Sequence, residues 1–173
     1  MTPLAGICRN IRLLVLDVDG VLTPGHLMPR VASATEGLPE TKWFHVRDGL
    51  ALRAWQDAGG EVAVLTGRGG AVVEARCKEL GIARLIQGAN PKTPAFETLL
   101  AETHTPFEAV CAIGDDLADV PLLGRSGLGV AVADACVDAR RAARIITRQP
   151  GGSGAVREVV ELIMRARGTW PAA

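Results

Sequence analysis

Two carboxylates spaced two residues apart, Asp17 and Asp19, follow directly on the apolar run Leu13-Leu14-Val15-Leu16 and precede Gly20. If that run is a buried strand, Asp17 stands at its carboxyl end, where open α/β sheets place their ligands. The two-residue period of an extended chain returns Asp19 to the same side, and Gly20 lets the backbone turn away without a side chain in the site. Two anions so close repel each other, so the pair asks for a hard divalent cation such as Mg²⁺ or for proton chemistry. An Asp-rich turn with no ligand is the plain alternative.

Three further groups stand at the ends of apolar runs. Thr66, with Gly67 and Arg68, follows Val62-Ala63-Val64-Leu65. Lys92 opens a helix after Leu85-Ile86-Gln87, and Asp115, Asp116 and Asp119 follow the run Ala109–Ile113. Each is ordinary alone: a helix-capping threonine, a solvated lysine, an acidic first turn that suits a helix dipole. In this order they describe one site. An aspartate at a strand end can attack phosphorus, a hydroxyl with neighbouring N–H groups can hold phosphoryl oxygens, and a lysine adds compact positive charge.

The constellation resembles the haloacid dehalogenase superfamily of phosphotransferases, whose four motifs match Asp17 with Asp19, Thr66, Lys92, and Asp115 with Asp116 and Asp119. The resemblance implies Mg²⁺ held by Asp17, the main-chain carbonyl of Asp19 and Asp115, which leaves the Asp19 side chain free to pass protons, with Asp116 and Asp119 positioning Lys92 or metal-bound waters. The order excludes the response-regulator receivers, because here the second acidic cluster comes after the threonine and the lysine. No GxxxxGK[ST] loop is present, and the third glycine of a dinucleotide fingerprint is replaced by Val72.

Several longer pieces narrow the resemblance to the cap-less 3-deoxy-D-manno-octulosonate 8-phosphate phosphatases, over Leu13 to about Met164. They are Phe44-His45-Val46-Arg47-Asp48-Gly49, Val130-Ala131-Val132-Ala133-Asp134-Ala135 and Gly151-Gly152-Ser153-Gly154-Ala155-Val156-Arg157-Glu158, beside Gln87-Gly88 and the motifs above. One departure is Pro24, where the family usually has Asp. The resemblance implies a phosphoric monoester hydrolase of lipopolysaccharide biosynthesis, acting on a phosphorylated 3-deoxy-2-ulosonic acid. Its carboxylate would be met by Arg68 and Arg47, with Arg157 as a third candidate, although all three arginines could instead make structural ion pairs. It also implies a homotetramer in which one subunit covers its neighbour's site. A nonulosonate 9-phosphate is the alternative substrate. A non-catalytic scaffold is the alternative of another class, and it would be expected to have lost one of Asp17, Asp19, Lys92 or Asp115.

The elements that must position these residues are legible as short apolar runs alternating with amphipathic segments. Strands are predicted at Leu13–Asp17, Glu61–Leu65, Arg84–Gln87, Ala109–Ile113, Gly129–Val132 and Ile145–Thr147. Helices are predicted at Leu50–Ala58, Ala71–Leu80, Pro91–Thr103, Leu117–Arg125, Val137–Ala142 and Gly154–Arg167. Asn90 reads as a cap before Pro91, and Gly81 as a helix end. The expected fold is α/β: a Rossmann-like three-layer sandwich, its mostly parallel sheet flanked by helices on both faces. The polar stretch 25–46 breaks the alternation and predicts a β-hairpin, with runs at His26–Val31 and Lys42–Val46, in place of a cap domain. Gly151–Gly154 reads as a flexible linker or an anion-binding helix start, and a tail spans about 151–173.

At 173 residues one domain is expected, and 48% apolar with 22% charged residues is ordinary for a folded chain. Nineteen basic residues balance nineteen acidic ones, which leaves no global field for nucleic acid or an anionic membrane. The start of the chain resembles no signal peptide, and no apolar run approaches the ~20 residues that span a bilayer. Cys8, Cys77, Cys111 and Cys136 are scattered, as expected in a reducing cytoplasm. The three histidines lack zinc-ligand spacing.

Overall fold

The computed structural model describes residues 3–27 and 41–171. Helix α1 (Pro3–Asn10) leads into β1 (Leu13–Leu16), followed by α2 (Val46–Asp57), β2 (Glu61–Leu65), α3 (Ala71–Leu80) and β3 (Arg84–Ile86). Then come α4 (Lys92–Glu102), β4 (Val110–Gly114), α5 (Val120–Arg125), β5 (Leu128–Ala131), α6 (Val137–Ala142), β6 (Ile145–Ile146) and α7 (Ala155–Arg167). Short 3₁₀ turns at Phe107–Ala109 and Leu117–Asp119 precede β4 and α5.

The strands form one parallel sheet in the order β3-β2-β1-β4-β5-β6. β1 lies inside it, with Leu14 opposite Val62 on one side and Cys111 on the other. All of its side chains are buried, as an uninterrupted apolar run in a parallel sheet requires. Each leucine or valine so buried contributes about 1.5–3 kcal/mol, so the register of β1 is held firmly. Chain order reverses between β1 and β4, and the crevice at such a switch point is where open sheets bind ligands.

Helices α1 and α2 each pack against α7, and α5 packs against both α4 and α6. α7 buries Ala155, Val156, Val159, Val160, Ile163 and Met164, one stripe at helical spacing. The predicted Rossmann-like sandwich is the observed one, and no described helix is long and apolar enough to cross a membrane.

Several boundaries differ from the sequence reading. The sequence pattern predicts no helix at Pro3–Asn10. α2 starts at Val46, because His45 caps it through Nδ1, which accepts the Arg47 N–H at 3.3 Å. Pro91, not Asn90, takes the cap position of α4, while Gly81 ends α3 in the left-handed conformation as expected. The helix predicted at Leu117–Arg125 divides, since Asp116 caps a 3₁₀ turn and Pro121 opens α5. Most of the predicted hairpin, residues 28–40, lies outside the described residues. Its described flanks, 24–27 and 41–45, form no strand, and Val46 opens α2 instead of ending one.

Candidate active site

The Asp17 N–H donates to the Ile113 carbonyl at 3.1 Å, carrying the β1–β4 ladder one residue past the strand. The chain then turns tightly about the Val18 carbonyl, which accepts the N–H groups of Val21, Leu22 and Thr23 at 3.2, 2.9 and 3.0 Å. Gly20 sits inside this turn with φ of 90°, and a Cβ there would lie 2.1 Å from Asp115 Oδ2. Conformation and space both demand glycine where the loops after β1 and β4 meet.

Thr66 is buried at the end of β2, and its hydroxyl oxygen accepts the Arg68 N–H at 3.3 Å. Lys92, at the first turn of α4, reaches across the sheet end. Its Nζ lies 2.8 Å from Asp17 Oδ1 and 2.7 Å from Asp119 Oδ1. Asp119 Oδ2 accepts the N–H groups of Asp115 and Asp116 at 3.1 and 3.3 Å. Both oxygens of Asp119 are thus committed, and its work is to hold Lys92 and shape the Asp115 loop. Asp116 accepts the Leu117 N–H at 2.8 Å and forms a reciprocal capping box with Asp119.

The electrostatics follow from burial. The Asp17 carboxyl is pushed up to about 6 by desolvation and then by Asp119, with Lys92 opposing. Asp115 is pushed up to about 7 by desolvation, then by Asp17, Asp119 and Asp116. For Lys92 burial acts downward, but Asp17 and Asp119 together raise it above its ordinary value and keep it charged. Among the described residues, Asp17, Asp115 and Asp119 each offer an oxygen within 4.8 Å of the others, and Asp115 Oδ1 is buried with no hydrogen-bond donor. One lysine does not neutralise three clustered carboxylates. The unpartnered oxygen and the all-oxygen donor set fit a hard divalent cation.

Of the three arginines singled out in the sequence, Arg68 reaches the acidic loop, its Nε 3.5 Å from Asp19 Oδ2. Arg47 and Arg157 line a separate groove of about 510 Å³ with Arg148 and Arg165. There Arg157 pairs with Glu161 at 3.0 Å and stacks on Trp170 at 4.4 Å.

The Gly151–Gly154 segment is neither a linker nor an open anion site. A Cβ on Gly151 would lie 1.8 Å from the Gly20 carbonyl oxygen, so the segment packs directly under the Asp17–Gly20 loop. The Gly152 N–H donates to Val21 O and the Gly151 N–H to Asp134 Oδ1, both at 2.9 Å. The start of α7 already has its anion: buried Asp48 accepts the Arg157 N–H at 2.7 Å. Asp48, Asp134 and the glycine segment therefore form one brace behind the acidic loop.

Lys42 is the residue the sequence reading passed over. Its ammonium pairs with Asp19 Oδ1, and its side chain is 3% exposed. A lone lysine in an aperiodic polar stretch gives no spacing signal. Among the described residues, Lys42 lines a cavity of about 220 Å³ with Thr23, Pro24, His26, Leu27, Thr41 and Trp43.

An acidic loop at the switch point of a parallel sheet, locked to a buried lysine, defines a haloacid dehalogenase-like hydrolase; the family of that description matches residues 80–159. The 3-deoxy-D-manno-octulosonate 8-phosphate phosphatase KdsC of Escherichia coli K12 is 46% identical over 160 residues, covering 92% of this chain and 82% of the relative. A crystal structure of the Moraxella catarrhalis 3-deoxy-D-manno-octulosonate 8-phosphate phosphatase, in complex with magnesium ion, phosphate ion and KDO, superposes with a TM-score of 0.90. It is 39% identical and covers 96% of this chain and 92% of its own. The Yersinia pestis phosphatase structure gives a TM-score of 0.89 at 41% identity, with coverage of 95% and 86%. The chain belongs to the 3-deoxy-D-manno-octulosonate 8-phosphate phosphatase family.

Proposed function

We propose that this chain is a Mg²⁺-dependent phosphatase whose substrate is 3-deoxy-D-manno-octulosonate 8-phosphate and whose nucleophile is Asp17. The observation that carries this reading is the buried row Asp17–Lys92–Asp119 with the open Asp115 oxygen beside it. Phosphate monoesters resist hydrolysis so strongly that enzymes supply accelerations of up to ~10²¹-fold. Several groups must share that task.

Asp17 is held at the strand end, and its carboxylate oxygen forms a bond to phosphorus as the bond to the sugar oxygen breaks. Asp19 gives a proton to that departing oxygen. It then takes one from the water that attacks the aspartyl-phosphate, which frees Asp17 and inorganic phosphate. Thr66, with the backbone of Gly67 and Arg68, holds the phosphoryl oxygens, and Lys92 places fixed positive charge beside the nucleophile. Asp17, the Asp19 main-chain oxygen and Asp115 would hold Mg²⁺, which would supply charge neutralisation between carboxylate and phosphate. Asp119 and Asp116 support Lys92 and the Asp115 loop.

Among the described residues, Arg68, more than half exposed beside Asp19, is the candidate arginine best placed for the sugar carboxylate on a single chain. Arg47 and Arg157 would serve only from a neighbouring subunit. A panel of phosphate esters assayed side by side tests the substrate. The octulosonate 8-phosphate should exceed hexose phosphates and nucleotides in kcat/KM by at least about 10²-fold, a few kcal/mol of differential transition-state binding. Preference for a nonulosonate 9-phosphate would move the assignment within the class, and preference for hexose phosphates would defeat it.

The same reading makes the chain a homotetramer in the cytoplasm, with residues 1–173 acting as one hydrolase domain. Water must be excluded during transfer, yet the described residues contain no cap. Trp43, Val46 and Leu50 are 67, 78 and 62% exposed and follow the insert onto α2, an apolar patch suited to subunit contact. Closed symmetry accommodates such a patch in a tetramer. Sedimentation equilibrium should return four times the 18.1 kDa chain mass, and Leu50→Asp should lower it. A single-chain mass with full activity would remove the tetramer.

A further inference from the structure

We propose that Lys42 is a positioning residue for phosphoryl transfer: it fixes one oxygen of Asp19 so that the other is presented as the oxygen that passes protons. The inference rests on the acid/base role given to Asp19 above. Lys42 pairs with Asp19 Oδ1 from a side chain that is almost wholly buried. Lysines normally extend their ammonium into water, and burying one is costly unless a partner compensates. Here that partner is Asp19, and the Thr23 hydroxyl donates to the same Oδ1 at 3.4 Å. Oδ2, by contrast, is buried and accepts no hydrogen bond among the described residues, where Arg68 lies 3.5 Å from it. One oxygen is gripped and the other, beside Arg68, is left without a hydrogen bond.

The segment that carries Lys42 is itself anchored. Two residues on, Phe44 lies under the Arg76 guanidinium, 5.5 Å from its ring centroid, and Arg76 is tied to Glu79 at 2.8 Å. His45 then caps α2. The grip on Asp19 therefore comes from a segment docked on α2 and α3, separate from the acidic loop it acts upon. In both half-reactions the proton moves through Asp19: to the sugar oxygen when its bond to phosphorus breaks, and from water when the acyl phosphate is cleaved. Losing the grip should slow both steps and leave substrate binding largely untouched.

The test uses the full chain with Mg²⁺ and compares Lys42→Ala, Lys42→Arg, Asp19→Asn and the Lys42→Ala/Asp19→Asn double variant. On an alkyl phosphate, Lys42→Ala should lose on the order of 10²-fold in kcat with KM within about threefold, since acid/base catalysis contributes at least that much. Lys42→Arg should recover a large part of the loss, and the double variant should be no slower than Asp19→Asn alone, because the two residues act as a unit. On p-nitrophenyl phosphate, whose leaving group needs no proton, Lys42→Ala should release a burst of one nitrophenolate per site and then turn over slowly. A KM increase at unchanged kcat would make Lys42 a substrate ligand and overturn the proposal. Additive losses in the double variant, or a burst reduced in amplitude as in a partly misfolded sample, would overturn it as well. Near-normal Asp19→Asn would sink the acid/base reading itself, whereas a dead Asp19→Asn beside a normal Lys42→Ala would sink only the role of Lys42.

Discussion

Asp17→Asn is expected to stop turnover, lowering kcat on the order of 10⁴-fold or more, as removal of a covalent nucleophile does. The amide keeps the shape of the carboxylate and an oxygen for Lys92, whose Nζ lies 2.8 Å from Asp17 Oδ1. What it loses is the charge and the nucleophilic oxygen at the strand end. The fold should survive, because burial and Asp119 already disfavour the ionised form of Asp17. Thermal unfolding in EDTA is therefore expected at the same temperature as wild type or higher. Steady-state phosphate release and a melting curve on one preparation check both halves. A folded variant with activity within tenfold of wild type would take the nucleophile away from Asp17 and restore the non-catalytic alternative.

The sheet was readable because parallel strands covered on both faces are continuous apolar runs, and Leu13–Leu16, Val62–Leu65 and Val110–Ile113 are of that kind. Helix α1 was not readable: it has eight residues, includes Gly6, and only a few positions, Cys8 among them, face the core. The start of α2 escaped for a different reason. His45 caps through a ring nitrogen, which is not one of the side chains a sequence reading looks for at that position.

The acidic site was readable for a topological reason. Asp17, Thr66 and Asp115 each follow a strand, and strand ends at a switch point converge whatever the intervening helices do. The support behind it was not. Asp48 reaches the Arg157 N–H from 109 positions away in the chain, and nothing local marks it as an anion for a distant helix start. The glycines at 151–154 looked flexible because glycine composition is shared by linkers and by places where two backbones touch. The approach of Gly151 to the Gly20 carbonyl makes this the second case. Lys42 belongs with Asp48: its significance lies in its partner, Asp19, 23 positions earlier.

Asp115→Ala and Asp19→Asn are expected to fail in opposite ways. Asp115 offers the open carboxylate oxygen, so its loss should raise the Mg²⁺ concentration for half-maximal activity on the order of 10²-fold or more. Asp19 is proposed to bind the ion through its main-chain oxygen, so the asparagine should keep the Mg²⁺ requirement within about threefold while kcat falls by roughly 10²–10⁴-fold. Stability supplies a second readout with a definite sign. In the metal-free protein Asp17 and Asp115 lie at about 6 and about 7, both above the ordinary 3.8. The folded chain therefore holds more protons than the unfolded one between about pH 4 and 7, and stability must fall as pH rises through that window. The two carboxylates titrate together and Asp115 is partly exposed, so the fall should be on the order of 3 kcal/mol, well below the sum of the separate shifts. Asp115→Ala should flatten this slope and be more stable than wild type at pH 8 in EDTA. Added Mg²⁺ should reverse the order, because an ion that binds only the folded state stabilises wild type by about 2.7 kcal/mol at a hundred times its Kd and the variant by much less. Urea unfolding at pH 5 and pH 8, each with EDTA and with Mg²⁺, measures all four cases. Equal loss of Mg²⁺ affinity in both variants, or a wild-type stability independent of pH and metal, would contradict this division of labour between the two aspartates.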